Sequence, residues 1–132
     1  MFSKVDYVMV NVSDMRRSVL FYRDTLGLKL KFESPGWSEF ETGATTLALH
    51  ASTRPASSDA ATQAGPAAGT SSLGFSVPDL RSAYAELSKR GAHFVLPPTD
   101  QPNEGIRLAV CIDPDGLSIS FAEPLARAST PE

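Results

Sequence analysis

The chain repeats itself. Val12, Ser13, Asp14, Met15 and Arg16 return as Val77, Pro78, Asp79, Leu80 and Arg81, an offset of 65 residues. Gly27 returns as Gly91 at nearly the same spacing. Capping residues alone recur by chance, but here the order of elements recurs over roughly 50 residues, the mark of a duplicated module. Each copy opens on strict alternation: Val8, Val10 and Val12 against Tyr7, Met9 and Asn11, then Leu73, Phe75 and Val77 against Ser72, Gly74 and Ser76. Period two means a half-buried strand. Asp14 and Asp79 are helix N-cap residue types, and Gly27 and Gly91 suit helix ends.

After the first helix, Leu28, Leu30 and Phe32 alternate. A turn at Ser34, Pro35 and Gly36 follows, then strands through Trp37 to Glu41 and Thr46 to His50. The second copy predicts a helix carrying Leu80, Ala83, Tyr84 and Leu87. A short strand at Phe94 to Leu96 meets Pro97 and Pro98, and a loop runs to Gly105. Ile106, Leu108, Val110 and Ile112 form one face of the next strand. Asp113 to Gly116 makes a turn, and Leu117, Ile119 and Phe121 point to the core from the last strand. The expected class is α+β: two paired βαβββ modules forming a curled mixed sheet with a concave cavity. The expected boundaries are one domain over 1–132, with module one at 4–51, a linker at 52–71, module two at 72–123 and a tail at 124–132. The linker is rich in Ala, Ser, Pro, Thr and Gly and reads as mobile, with one helical turn near Asp59 to Gln63.

Composition narrows the function classes. A chain of 132 residues with 42% hydrophobic content suits one compact domain. The net charge is −3 and no basic block stands out, so nucleic acid is not an expected partner. No apolar run reaches the ~18 residues of a membrane span, so no membrane partner is expected. Met1 to Asp6 lacks a signal-peptide apolar core, and the lone Cys111 rules out an internal disulfide. The expected location is the cytoplasm.

The stretch from Tyr7 to Leu30, with Phe21 and Tyr22 ahead of Leu26 and Gly27, resembles the opening module of the vicinal oxygen chelate superfamily. That superfamily holds glyoxalases, bleomycin-resistance proteins and extradiol dioxygenases. The late Asp113-Pro114-Asp115-Gly116 turn matches it as well. The resemblance implies sheets curled into a cup with the site on the concave side, and a homodimer. It also implies metal ligands on the first and last strands of each module. Those positions fall here on Tyr7, Ala48, Ser72 and Ser120. Alanine has no donor, neutral serine is a poor one, and a phenol is mostly protonated at neutral pH. No metal, no cofactor and no catalytic residue is therefore expected. The likeness is to the metal-free, bleomycin-resistance-like branch.

Strand alternation, with the large aliphatics assigned to the helices, predicts a ligand face of Tyr7, Met9, Asn11, Trp37, Glu39, His50, Ser72, Ser76, Arg107, Cys111 and Ser120. Trp37 could stack on a ligand or anchor a dimer. Arg107 could hold an oxygen or form a surface ion pair, and Glu39 could bind a basic group or sit in solvent. Cys111 reads as an inert small side chain, and His93 as a solvated turn residue. Pro97 to Gly105 could act as a lid or as an ordinary hairpin connection. The expected function is non-catalytic binding of a small aromatic or hydrophobic molecule, sequestering an antibiotic or toxic metabolite. The alternative is a glyoxalase- or dioxygenase-like enzyme, either metal-dependent or using Tyr7, Glu39 or His50 for metal-free proton transfer.

Overall fold

A computed structural model describes residues 2–52 and 68–125. The expected linker helix near Asp59 and the end of the tail lie outside these described residues. The chain divides into two compact units, Met1–Thr70 and Ser71–Glu132. Each unit carries its own four-stranded mixed sheet, and the two sheets share one topology. The strand orders are β1-β4-β3-β2 and β5-β8-β7-β6, with the first strand of each module parallel to its last. The α+β class and the doubled βαβββ grammar read from the sequence are what the molecule shows.

Module one runs β1 (Tyr7–Val12), α1 (Met15–Leu20), β2 (Lys29–Phe32), β3 (Trp37–Thr42) and β4 (Thr45–Ala51). Asp14 caps α1 by accepting the Arg17 N–H at 3.1 Å. Met15, Ser18, Val19 and Tyr22 are buried, an i, i+3, i+4, i+7 stripe. The neighbouring Leu20 is exposed and Phe21 only half-buried, so neither belongs to that stripe. The helix does not run straight to Gly27. It widens into a π-helical turn at Phe21–Thr25, where the Leu26 N–H reaches back to the Phe21 carbonyl. Gly27 follows at φ 81°, a left-handed conformation that glycine adopts without strain. The helix covers one sheet face. Tyr22 lies against Phe40, with centroids 6.0 Å apart, and the Ser38 hydroxyl donates to the Met15 sulfur at 3.3 Å. Val10, Val12, Leu47 and Leu49 complete that core. Phe32 is exposed because a register shift after Leu30 sets it opposite Glu39.

Module two runs β5 (Leu73–Ser76), α2 (Leu80–Lys89), β6 (His93–Gln101), β7 (Ile106–Ile112) and β8 (Ser118–Pro124). Asp79 caps α2 through the Ser82 N–H. Glu123 also accepts the Leu80 N–H, at 2.9 Å, tying the helix start to β8. The helix-side core is aromatic. Phe75 stacks on Phe121 at 5.8 Å, Tyr84 meets Phe94 edge-on at 4.7 Å, and Phe94 approaches Phe121 at 6.1 Å. The short strand expected at Phe94 to Leu96 is longer: β6 begins at His93 and passes through Pro97 and Pro98 to Gln101. Two features make the prolines tolerable. β6 is an edge strand, and its register with β7 slips between Leu96 and Thr99. His93 is therefore a strand residue paired with Ile112, and the segment from Pro97 onward is largely strand joined to β7 by a short 3-10 turn at Pro102–Glu104. Among the described residues no helix is long and apolar enough to cross a membrane.

Candidate functional site

The face of each sheet turned away from its helix is its open face. On module one, register fixes its membership. Tyr7 pairs with Thr46, Met9 with Ala48, and Asn11 with His50 across β1 and β4. Trp37 pairs with His50, Glu39 with Ala48, and Glu41 with Thr46 across β3 and β4. Tyr7, Met9, Asn11, Trp37, Glu39 and His50 therefore share one face, as alternation predicted. Met9 is 43% exposed and Tyr7 53%, so two large apolar side chains stand in the open.

These side chains form a connected group. Tyr7 and Trp37 meet edge-to-face with centroids 5.9 Å apart, although β4 separates their strands. The β4 residue lying between the two rows they occupy is Ala48, which is fully buried. A methyl group there lets the two rings converge over the middle strand. Trp37 also lies 6.1 Å from His50 at 66°. Its indole N–H donates to Glu39 at 2.8 Å, which fixes the ring. His50 Nδ1 lies 3.1 Å from Asn11 Oδ1. Sequence reading missed Lys29 and Lys31 on β2. The Lys31 ammonium donates to the Thr46 hydroxyl at 2.6 Å and lies 3.8 Å from Glu39, while Lys29 lies 3.3 Å from Glu41. Their alternation with Leu28 and Leu30 was the signal that could have placed them.

On module two, Gly74 pairs with Ser120 and Ser76 with Ala122. Ser72, just ahead of β5, falls on the same face by alternation and is exposed. Ser72, Ser76 and Ser120 thus belong to one open face. A side-chain carbon added at Gly74 would meet nothing within 4 Å, so this face has room. Arg107 and Cys111 do not belong to it, and this corrects the expected lining. Val110 pairs with Ser120 and Leu108 with Ala122, so β7 shows Ile106, Leu108, Val110 and Ile112 to the open side. Arg107 and Cys111 point to the helix side. The reason is volume: Phe75, Phe94 and Phe121 fill the space under α2, so β7 carries the fully buried Ala109 and Cys111 there. Burial, with help from Asp113, pushes the Cys111 thiol up to about 11. Arg107 donates to Asp100 at 2.7 Å and lies 3.5 Å from Glu123, so it braces β6, β7 and β8.

The positions where the superfamily resemblance would put metal ligands hold Tyr7, Ala48, Ser72 and Ser120. Alanine offers no electron pair, and the hydroxyls of serine and tyrosine are weak metal donors. Among the described residues, no group of three or more His, Cys, Asp or Glu comes together in a way that could hold a metal ion. This donor set does not fit a catalytic divalent ion.

Comparison with solved structures returns the same architecture. TnmS3, an antibiotic binding protein from Streptomyces sp. CB03234, is 27% identical, with a TM-score of 0.72 over 93% of this chain and 97% of that one. A glyoxalase/bleomycin resistance protein/dioxygenase from Nocardioides matches at 23% identity and TM-score 0.74, over 100% of this chain and 90% of that one. A lactoylglutathione lyase from Agrobacterium tumefaciens matches at 20% identity and TM-score 0.71, over 93% and 95% of the two chains. The last two likenesses show the fold alone. No curated protein matches the sequence. The family model for this fold matches residues 4–121. With that match across both modules, the chain belongs to the Glyoxalase/Bleomycin resistance protein/Dioxygenase superfamily.

Proposed function

We propose that this protein captures an aromatic or hydrophobic small molecule, an antibiotic or toxic metabolite, and sequesters it in the cytoplasm without breaking a bond. The observation that carries this reading is the contact of an exposed Tyr7 with a half-buried Trp37 above the fully buried Ala48, where the superfamily resemblance would put a metal ligand. An aromatic platform next to a few placed polar groups suits a flat organic ligand. Burying such a ligand against Tyr7, Met9 and Trp37 supplies most of the affinity, and Asn11 and His50 on the same face supply orientation. The likeness to TnmS3, described as an antibiotic binding protein, supports the same class of ligand. We further propose a homodimer, whose test is sedimentation at micromolar concentration; a purely monomeric species contradicts it.

Capture is tested by a thermal-shift screen against aromatic antibiotics, followed by recovery of the bound compound. A molecule that binds only the native state at a hundred times its Kd adds about 2.7 kcal/mol of stability. The expected result is a raised Tm and a ligand recovered unchanged after hours. A chemically altered ligand favours the enzyme reading instead.

A further inference from the structure

The polar edge of the module-one face has a defined direction, and this bears on which ligands it accepts; the argument rests on the capture reading above. His50 Nδ1 lies 3.1 Å from Asn11 Oδ1. A carbonyl oxygen only accepts, so Nδ1 carries the hydrogen and donates it. In the neutral ring the lone pair then sits on Nε2. Asn11 and His50 are register partners on neighbouring strands, and both are exposed. Among the described residues Nε2 has no hydrogen-bond partner. The same imidazole lies edge-on to Trp37, which is edge-to-face with Tyr7. An acceptor thus stands immediately beside the aromatic platform.

We propose that this site selects aromatic molecules bearing a hydroxyl donor on the ring, the ring lying against Tyr7 and Trp37 and the O–H donating to His50 Nε2. Asn11 is the positioning residue, since it sets which imidazole nitrogen accepts. A methyl ether of the same ring cannot donate, and it leaves Nε2 desolvated without a partner. An unmade hydrogen bond of this kind costs more than a made one gains. The expected discrimination is roughly three- to tenfold in Kd.

The test uses the full chain with 1-naphthol and 1-methoxynaphthalene as probes, titrated by calorimetry at pH 8. The naphthol is expected to bind more tightly by that ratio. The preference is expected to survive Asn11→Asp, which keeps an acceptor facing Nδ1, and to vanish in Asn11→Leu and His50→Phe. Equal affinity for both probes overturns the inference and leaves capture standing. Failure of both probes to bind overturns the inference and counts against capture as well. A measurement that needs no ligand is the 15N spectrum of the imidazoles, with His50 assigned through a His93→Gln variant. Hydrogen on Nδ1 is expected, and hydrogen on Nε2 overturns the proposal.

Discussion

Single residues set the geometry of the module-one open face more sharply than any element does. Ala48 is fully buried on a face whose neighbours, Tyr7 and Met9, are exposed. Its small size allows the Tyr7–Trp37 contact. Ala48→Leu would thrust a branched side chain between the rings. The expected cost is about 1–3 kcal/mol in denaturant unfolding, together with a shift in Trp37 emission; unchanged stability and emission would contradict the role given to Ala48. Cys111 shows the opposite kind of residue, one silenced by its surroundings. With its thiol pushed up to about 11, almost no thiolate exists at pH 8. Ellman's reagent is expected to leave native protein unmodified and to label it fully once unfolded; rapid labelling of native protein would contradict this. The inert role of Cys111 was legible from its type. Its side of the sheet was not, because the rule sending large aliphatics to the helix side ignores aromatics that already fill that space.

Among the elements, α2 and β7 show what sequence periodicity captures and where it stops. The α2 cap was legible at Asp79, and the structure adds the hydrogen bonds that hold it. Bonds from the Ser82 backbone N–H and then its hydroxyl keep the Asp79 carboxyl below the usual carboxylate range. A depressed native pKa contributes stability above the unfolded value, and that contribution is lost as pH falls through the native one. Asp79→Ala is therefore expected to lower Tm by roughly 3–6 °C at pH 7. Its deficit is expected to shrink in acid below about pH 4. A deficit that stays constant or grows in acid would contradict the cap's ionic character. In β7 the alternation was read correctly but assigned to the wrong sides, which moved Arg107 and Cys111 out of the expected lining. In β6 the two prolines suggested an early end to the strand, whereas an edge position and a slipped register carry the chain through them. On β3, Phe40 is fully buried against Tyr22, and Phe40→Ala is expected to cost about 3–5 kcal/mol.

The whole molecule is a doubled module whose halves have diverged in their open faces. Topology survived the divergence: both sheets pair the first strand with the last in parallel. Chemistry did not. Module one shows Tyr7, Trp37, His50 and a row of lysine–glutamate pairs, while module two shows serines, Gly74 and the half-buried aliphatics of β7. The duplication was legible because it is a matter of order and spacing. The connected aromatic group was only half legible, because alternation puts residues on one face without saying which of them touch. That group is the proposed seat of the guest molecule. Trp37 is the single tryptophan, so its indole N–H gives one unambiguous cross-peak in a 1H–15N spectrum. When an aromatic compound that raises the Tm is titrated in, that peak is predicted to move in proportion to saturation. A compound that stabilises the protein while the Trp37 indole peak stays in place would contradict the account.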